Sequence, residues 1–216
     1  AHTRTAASIF DICHMGEFRI RGAGAAAALA AAVSHNLDTL KPGRCRYGFL
    51  LNARGGVLDD LIVYRMAEDE FMLVVNGACA ASDFAALRER LPEAVSMEDI
   101  SGQTAKIDLQ GPQSVDVLEA LLGASFRDLG YFSFRETSFR GQRCWSAARA
   151  IPASWGMSCI FPGTPPRRCG KPCWRTRASN PPDWGRATPC VWRPVCPCTG
   201  MIWTRNIPRP RRVWAR

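Results

Sequence analysis

The chain has 216 residues, 47% of them hydrophobic and 22% charged, ordinary for a soluble globular protein and long enough to bury a sound core. Its formal net charge of +9 would direct attention to nucleic acid or an anionic membrane, but the average joins two unlike parts. Residues 1–144 carry 18 acids against 15 Lys and Arg, whereas residues 145–216 carry one acid, Asp183, against 13 Lys and Arg.

In chain order, Ala7–Ile12 and Glu17–Ile20 read as strands. Gly24–His35 reads as a helix of strong formers ended by Asn36. The apolar run Ala23–Val33 is too short to cross a bilayer and lacks the leader and cleavage pattern of a signal peptide. Arg46–Asn52 and Val57–Arg65 read as paired strands around the Gly55-Gly56 turn, and Glu70–Asn76 as another. Ser82 caps a helix to Leu91, stopped by Pro92. Ala105–Gln110 is a strand, Pro112 opens a helix ending near Gly123, and Tyr131–Phe134 and Thr137–Phe139 are short strands. Hairpins outnumber crossovers, which predicts an α+β fold with a mainly antiparallel sheet and packed helices. Cys13, Cys45 and Cys79 show no disulfide-like spacing, so a cytoplasmic location is expected.

The segment 145–216 is read as an irregular, unpatterned basic tail, distinct from a front domain spanning 1–144. It holds all seven Trp, 12 of the 15 Pro and six of the ten Cys. Its prolines interrupt the windows in which a helix or strand could form, and its Trp residues recur with neither period 2 nor period 3.6.

Several front segments carry a specific pattern: Phe10-Asp-Ile-Cys-His-Met-Gly-Glu17, Leu40-Lys-Pro-Gly43, Leu51 through Tyr64, Val74-Val-Asn76 and Leu109-Gln-Gly-Pro112. In this order and spacing they resemble the glycine cleavage system T protein, an aminomethyltransferase, from about Arg4 to Arg143. Cys13 stands where that family usually has Ser. The tail points the same way when its codons are regrouped by the third base of one and the first two of the next. Trp145–Phe161 then becomes V-S-R-T-G-Y-T-G-E-L-G-Y-E-L-Y-F-P, and Gly185–Trp203 yields a second stretch, both similar to later family motifs in one frame. The expectation is a frame change close to Cys144 and a chain that is a fragment.

The resemblance implies transfer of an aminomethyl carbon from the lipoyl arm of a carrier protein to tetrahydrofolate, the co-substrate, with release of ammonia. It places Asp60, second of the Asp-Asp pair, beside the reacting folate nitrogens, where a carboxylate manages a proton and stabilises an iminium-like cation. Met15, Tyr47, Tyr64, Asn76 and Tyr131 are the matching folate-binding positions. Tyr47 and Tyr64 offer rings for stacking, and the Asn76 amide offers polar contacts to a ring edge. Ile62 and Tyr64 share strand parity with Asp60; Asp59 faces the other way and is expected to be a bystander. The family's downstream acid and arginines fall in the misread stretch, so this chain is expected to be inactive.

Plainer readings stand beside these. Asp59-Asp60 alone would be solvated carboxylates near a hairpin, and His14 a packed or hydrogen-bonded residue. Cys169, Cys173, Cys190, Cys196 and Cys198 fit no standard zinc spacing and have no His near them, so no metal is expected. A +12 segment attracts nucleic acid nonspecifically, but neither a specific nucleic-acid partner nor a membrane is expected. The alternative function is a non-catalytic folate-binding module related to iron–sulfur cluster maintenance proteins.

Overall fold

Alternation of apolar side chains with period two builds the central strands. In the strand Val57–Ala67 (β4), Asp59, Leu61 and Val63 turn to one face and Ile62 and Tyr64 to the other, and all five are buried. Both faces of this strand are therefore covered. The computed structural model describes residues 2–151 and 154–162.

The other strands are Ser8–Asp11 (β1), Gly16–Arg21 (β2), Arg44–Leu51 (β3), Glu70–Val75 (β5), Ser96–Asp99 (β6), Thr104–Gln110 (β7), Ser133–Phe139 (β8), Gln142–Ile151 (β9) and Ser154–Pro162 (β10). Among the described residues they form one sheet in the order β1-β7-β10-β9-β8-β3-β4-β5-β2-β6. Every pairing is antiparallel. Three helices pack on this sheet, Ala25–Ala32 (α1), Ala80–Arg90 (α2) and Ser114–Leu122 (α3). The expected α+β fold with a mainly antiparallel sheet and packed helices is what the chain adopts.

Three apolar clusters hold it together. Phe18, Ile20, Leu61, Val63, Leu73 and Val75 gather with Leu29 of α1 and Leu87 of α2; each such side chain contributes about 1.5–3 kcal/mol on burial. The opposite face of the same strands packs Cys45, Ile62, Tyr64, Met72 and Val74 against Phe134. A third cluster joins Leu109, Met157 and Cys159 to Leu118 of α3 and to Phe126.

Local chemistry explains where elements stop. α1 ends at Val33, earlier than the expected His35, because Val33 is extended and Ser34 then bonds Phe49 of β3 through both its backbone N–H and its hydroxyl. α3 ends at Gly123 in the left-handed region, as a glycine C-cap permits. The two short strands expected at Tyr131–Phe134 and Thr137–Phe139 form one strand, β8, which starts only at Ser133, after Tyr131 and a turn residue, Phe132, at φ 53°. β8 and β9 are joined by Arg140-Gly141, both at positive φ, the two-residue turn whose twist suits a hairpin.

Two differences from the sequence reading follow. β6 was not expected, since Ser-Met-Glu-Asp has no apolar alternation; it is an outer strand paired to β2 alone. β9 and β10 continue the sheet through residues 145–151 and 154–162, inside the stretch read as unpatterned, because antiparallel ladders need backbone groups more than a side-chain period. The cysteine, tryptophan and arginine motifs beyond residue 162 lie outside the described residues.

Candidate functional site

The site grows from a tight turn. Asn52 Oδ1 accepts hydrogen bonds from the backbone N–H groups of Arg54 and Gly56, both at 2.9 Å. Gly55 supplies the φ of 80° that the turn requires. The register between β3 and β4 shifts at Leu50/Leu51, and beyond that shift Phe49 stands opposite Asp60 and Tyr47 opposite Ile62. Tyr47, Phe49 and Asp60 therefore share one face at the outer end of the hairpin.

β5 brings Asn76 alongside. Its backbone N–H donates to Asp59 Oδ2 at 3.1 Å and its side-chain Nδ2 donates to Asp59 Oδ1 at 2.8 Å. The same Nδ2 reaches Asp60 Oδ1 at 3.1 Å and the Asp60 carbonyl at 3.3 Å. One amide thus spans both carboxyls of the pair. The next residue must be glycine: a Cβ on Gly77 would lie 1.9 Å from the His14 carbonyl oxygen. This close approach seats the Cys13–Gly16 segment against the end of β5.

Asp60 is exposed and Asp59 is buried at 7% exposure. Asp59 points to the other face, as parity predicted, but it is no bystander. Burial pushes its carboxyl up, and hydrogen bonds from Asn76 and Asp83 outweigh that and hold it below the usual carboxylate range. The sequence reading missed both Asp83 and this role of Asp59. Strand parity gives the face but not the cover, and the cover comes from α2. A helix-opening Asp four residues after Cys79 was the one available signal.

Tyr47 and Phe49 are 47% and 38% exposed, with ring centroids 5.5 Å apart and nearly perpendicular. The Tyr47 phenol faces Asp60. It is held above its ordinary value by partial desolvation, then by the Asp60 charge. Phe49 was also missed, although its i+2 spacing from Tyr47 marked it.

Tyr64 lies deeper than Asp60. Its ring is fully buried and packs edge-on against Phe134 at 5.4 Å, so it shares the parity of Asp60 but presents no open stacking face. Met15 packs partly buried against the same cluster, and its sulfur accepts from Lys106 Nζ at 3.5 Å. Tyr131 is exposed and packs on Phe132 at 4.3 Å. His14, expected to be packed or hydrogen-bonded, is exposed.

Beside Met15, Glu17 is 1% exposed and its Oε1 has no hydrogen-bond partner among the described residues. Burial pushes its carboxyl up to about 7 against the opposing pull of Lys106. Among the described residues no group of three or more His, Cys, Asp or Glu is placed to hold a metal ion. Among them, too, no helix is long and apolar enough to cross a membrane.

The arrangement offers an exposed carboxylate held by an amide, with two open aromatic rings next to it. Such a carboxylate can hold or receive a proton and can stabilise a cation formed against it.

Known proteins share this frame. The family model for the GCVT N-terminal domain matches residues 1–150. The aminomethyltransferase of Synechococcus elongatus is 39% identical over 163 residues, 74% of this chain and 44% of that protein. The aminomethyltransferase of Saccharopolyspora erythraea is 43% identical over 141 residues, 65% of this chain and 38% of that one. The chain spans less than half the length of these curated relatives. Among solved structures, the glycine cleavage system aminomethyltransferase T from Bartonella henselae superimposes with a TM-score of 0.67 at 34% identity, covering 74% of this chain and 43% of that one. The heterotetrameric sarcosine oxidase from Corynebacterium sp. U-96 is similar in fold alone, with a TM-score of 0.54 at 20% identity. With its antiparallel sheet, its Asp59-Asp60 hairpin and a family match over most of its described residues, the chain belongs to the GCVT N-terminal domain family of glycine-cleavage aminomethyltransferases.

Proposed function

We propose that residues 1–144 supply the Asp60 face of a tetrahydrofolate site in an aminomethyltransferase of the glycine cleavage system. The observation that carries this reading is the Asn76 amide bridging Asp59 and the exposed Asp60 beside the open rings of Tyr47 and Phe49. In the proposed reaction a lipoylated carrier protein delivers the aminomethyl group, its carbon passes to the two folate nitrogens as the C–S and C–N bonds break, the lipoyl sulfur leaves as a thiol, and the nitrogen leaves as ammonia. Asp60 holds the proton that moves in this exchange and screens the iminium-like cation. Tyr47 and Phe49 give the flat folate rings a stacking surface, and Met15 lines the floor. Tyr131, an exposed ring ahead of β8, is proposed as a further folate contact on its family position. The location is proposed to be cytoplasmic.

We further propose that this 216-residue chain does not complete the reaction. The acid and arginines expected downstream are not spelled by residues 145–216 as they stand, and a one-base regrouping near Cys144 restores motifs similar to them. The test compares three proteins for folate-dependent glycine cleavage: this chain, a version with the frame restored near codon 144, and the restored version carrying Asp60→Asn. Turnover is expected in the restored enzyme alone, with Asp60→Asn lowering kcat by about 100-fold or more. Turnover by the present chain, or full activity of Asp60→Asn, would overturn the proposal. A restored protein that binds tetrahydrofolate without turnover would favour the non-catalytic folate module instead.

A further inference from the structure

Asp83 in the first turn of α2 is 2% exposed, its Oδ2 receives no hydrogen bond among the described residues, and Asp59 is the acid that faces it. Two carboxylates cannot hydrogen-bond each other unless one holds a proton. The donors decide which one. Asp59 receives both the backbone N–H and the side-chain amide of Asn76, whereas the buried Asp83 Oδ2 receives none among the described residues. The proton therefore belongs on Asp83, and the charge on Asp59.

We propose that Asp83 is a positioning residue for Asp60: as a neutral carboxylic acid it donates to Asp59, Asp59 fixes Asn76, and Asn76 fixes the Asp60 carboxylate. This rests on Asp60 being the working carboxylate of the site. The chain of contacts runs from a helix on one face of the sheet, through the edge of β4, to the open face where Asp60 lies. Losing the Asp83 proton would put two negative charges against one another in a desolvated place, and Asn76 would be the residue displaced.

The surroundings support a carboxyl that titrates near neutrality. Burial first, then the hydrogen bond to Asp59 and its charge, push Asp83 up to about 7. The groups facing it are Asp59 from β4, with Asp60 behind, and Cys79 at the start of its own helix. Partial desolvation, then the charges of Asp59 and Asp83, push the Cys79 thiol up, so it adds no charge. α1, which packs against α2, contains only Ala and Leu, and no cation from it reaches the pair.

The test follows the Asn76 side-chain amide and the Asp carboxyl carbons by NMR in the full chain between pH 5.5 and 8.5, with no folate present. In the unsubstituted chain the Asn76 amide is expected to shift with a midpoint near 7. Asp83→Asn keeps a donor toward Asp59 at every pH, so its Asn76 signal should match that of the parent chain at pH 6 and stay flat. Asp83→Ala should displace the signal at every pH; if it does not fold, the first two proteins decide. An Asn76 amide indifferent to pH in the parent chain, or an Asp83→Asn profile that still titrates, would overturn the proposal. Titration with 5-formyltetrahydrofolate is a separate readout. Affinity should fall about five-fold more between pH 6 and pH 8 in the parent chain than in Asp83→Asn, the equivalent of one hydrogen bond. Absence of folate binding with the NMR profile intact would count against the folate reading and leave the role of Asp83 standing.

Discussion

Asn76 is the residue whose removal the structure prices most clearly. Its side-chain Nδ2 lies 2.8 Å from the buried Asp59 carboxyl and 3.1 Å from the exposed Asp60 carboxyl. Asn76→Ala deletes both bonds and leaves the backbone N–H bond to Asp59 in place. A hydrogen bond to a charged group is worth about 1.5–3 kcal/mol when buried, and the exposed bond adds little. The expected loss is about 2 kcal/mol at pH 7, or about 4–8 °C in Tm for a chain of this size. Asn76→Asp has nearly the same shape but replaces the donors with a third carboxyl about 3 Å from two others. Like charges at about 4 Å cost on the order of 4 kcal/mol in a half-buried setting. The introduced carboxyl would escape part of that by holding a proton. A folded-state value raised above the unfolded one means stability that is present at low pH and lost as pH rises. Asn76→Asp should therefore resemble Asn76→Ala at pH 5 and fall about 2 kcal/mol below it at pH 7. Urea unfolding followed by circular dichroism at both pH values measures this, with an unchanged m-value as the control. An Asn76→Asp variant as stable as the parent at pH 7 would refute the reasoning, because it would mean that Asn76 is not the donor between two carboxyls.

Other expectations come from the same structure. Gly77→Ala places a Cβ 1.9 Å from the His14 carbonyl oxygen, so β5 or the Met15 segment must move; a loss of about 2 kcal/mol or more is expected in urea unfolding. Leu29→Ala empties a fully buried position between α1 and the sheet and should cost about 2–5 kcal/mol by the same measurement. Glu17 and Asp83 are both raised, to about 7, from 4.5 and 3.8. A raised acid contributes stability that is full below its unfolded value and lost as pH climbs through its folded one, so Tm should decline between about pH 4.5 and pH 7.5. Glu17→Gln combined with Asp83→Asn should flatten that decline, and a Tm profile rising over the same window in the parent chain would contradict it.

Much of the site was legible because β4 obeys a simple period. Asp60, Ile62 and Tyr64 had to share a face, and the Gly55-Gly56 turn fixed which residues of β3 lay opposite. Depth was not legible. Tyr64 and Asp60 stand on the same face four residues apart, yet one is sealed against Phe134 and the other is open, since β8 and Phe134 cover only the inner end of the hairpin. Asp59 looked idle for a related reason: nothing in Asp59-Asp60 shows that a carboxyl from α2 will arrive from 24 residues away. β6 escaped notice because an outer strand with one paired neighbour can be built from Ser, Met, Glu and Asp. β9 and β10 escaped because their place is given by hydrogen-bond partners, β8 on one side and β7 on the other. Phe132 and Arg140 take positive φ without being glycine, which residue type alone does not announce.

The most direct test of the account is a titration of the isotope-labelled 216-residue chain with tetrahydrofolate, read residue by residue in NMR spectra. The account predicts weak, saturable shifts gathered on Met15, Tyr47, Phe49, Asp60 and Asn76, all weakened by Tyr47→Ala. Saturable shifts centred elsewhere, or none on these residues at millimolar folate, would contradict the claim that this face of the sheet is half of a folate site.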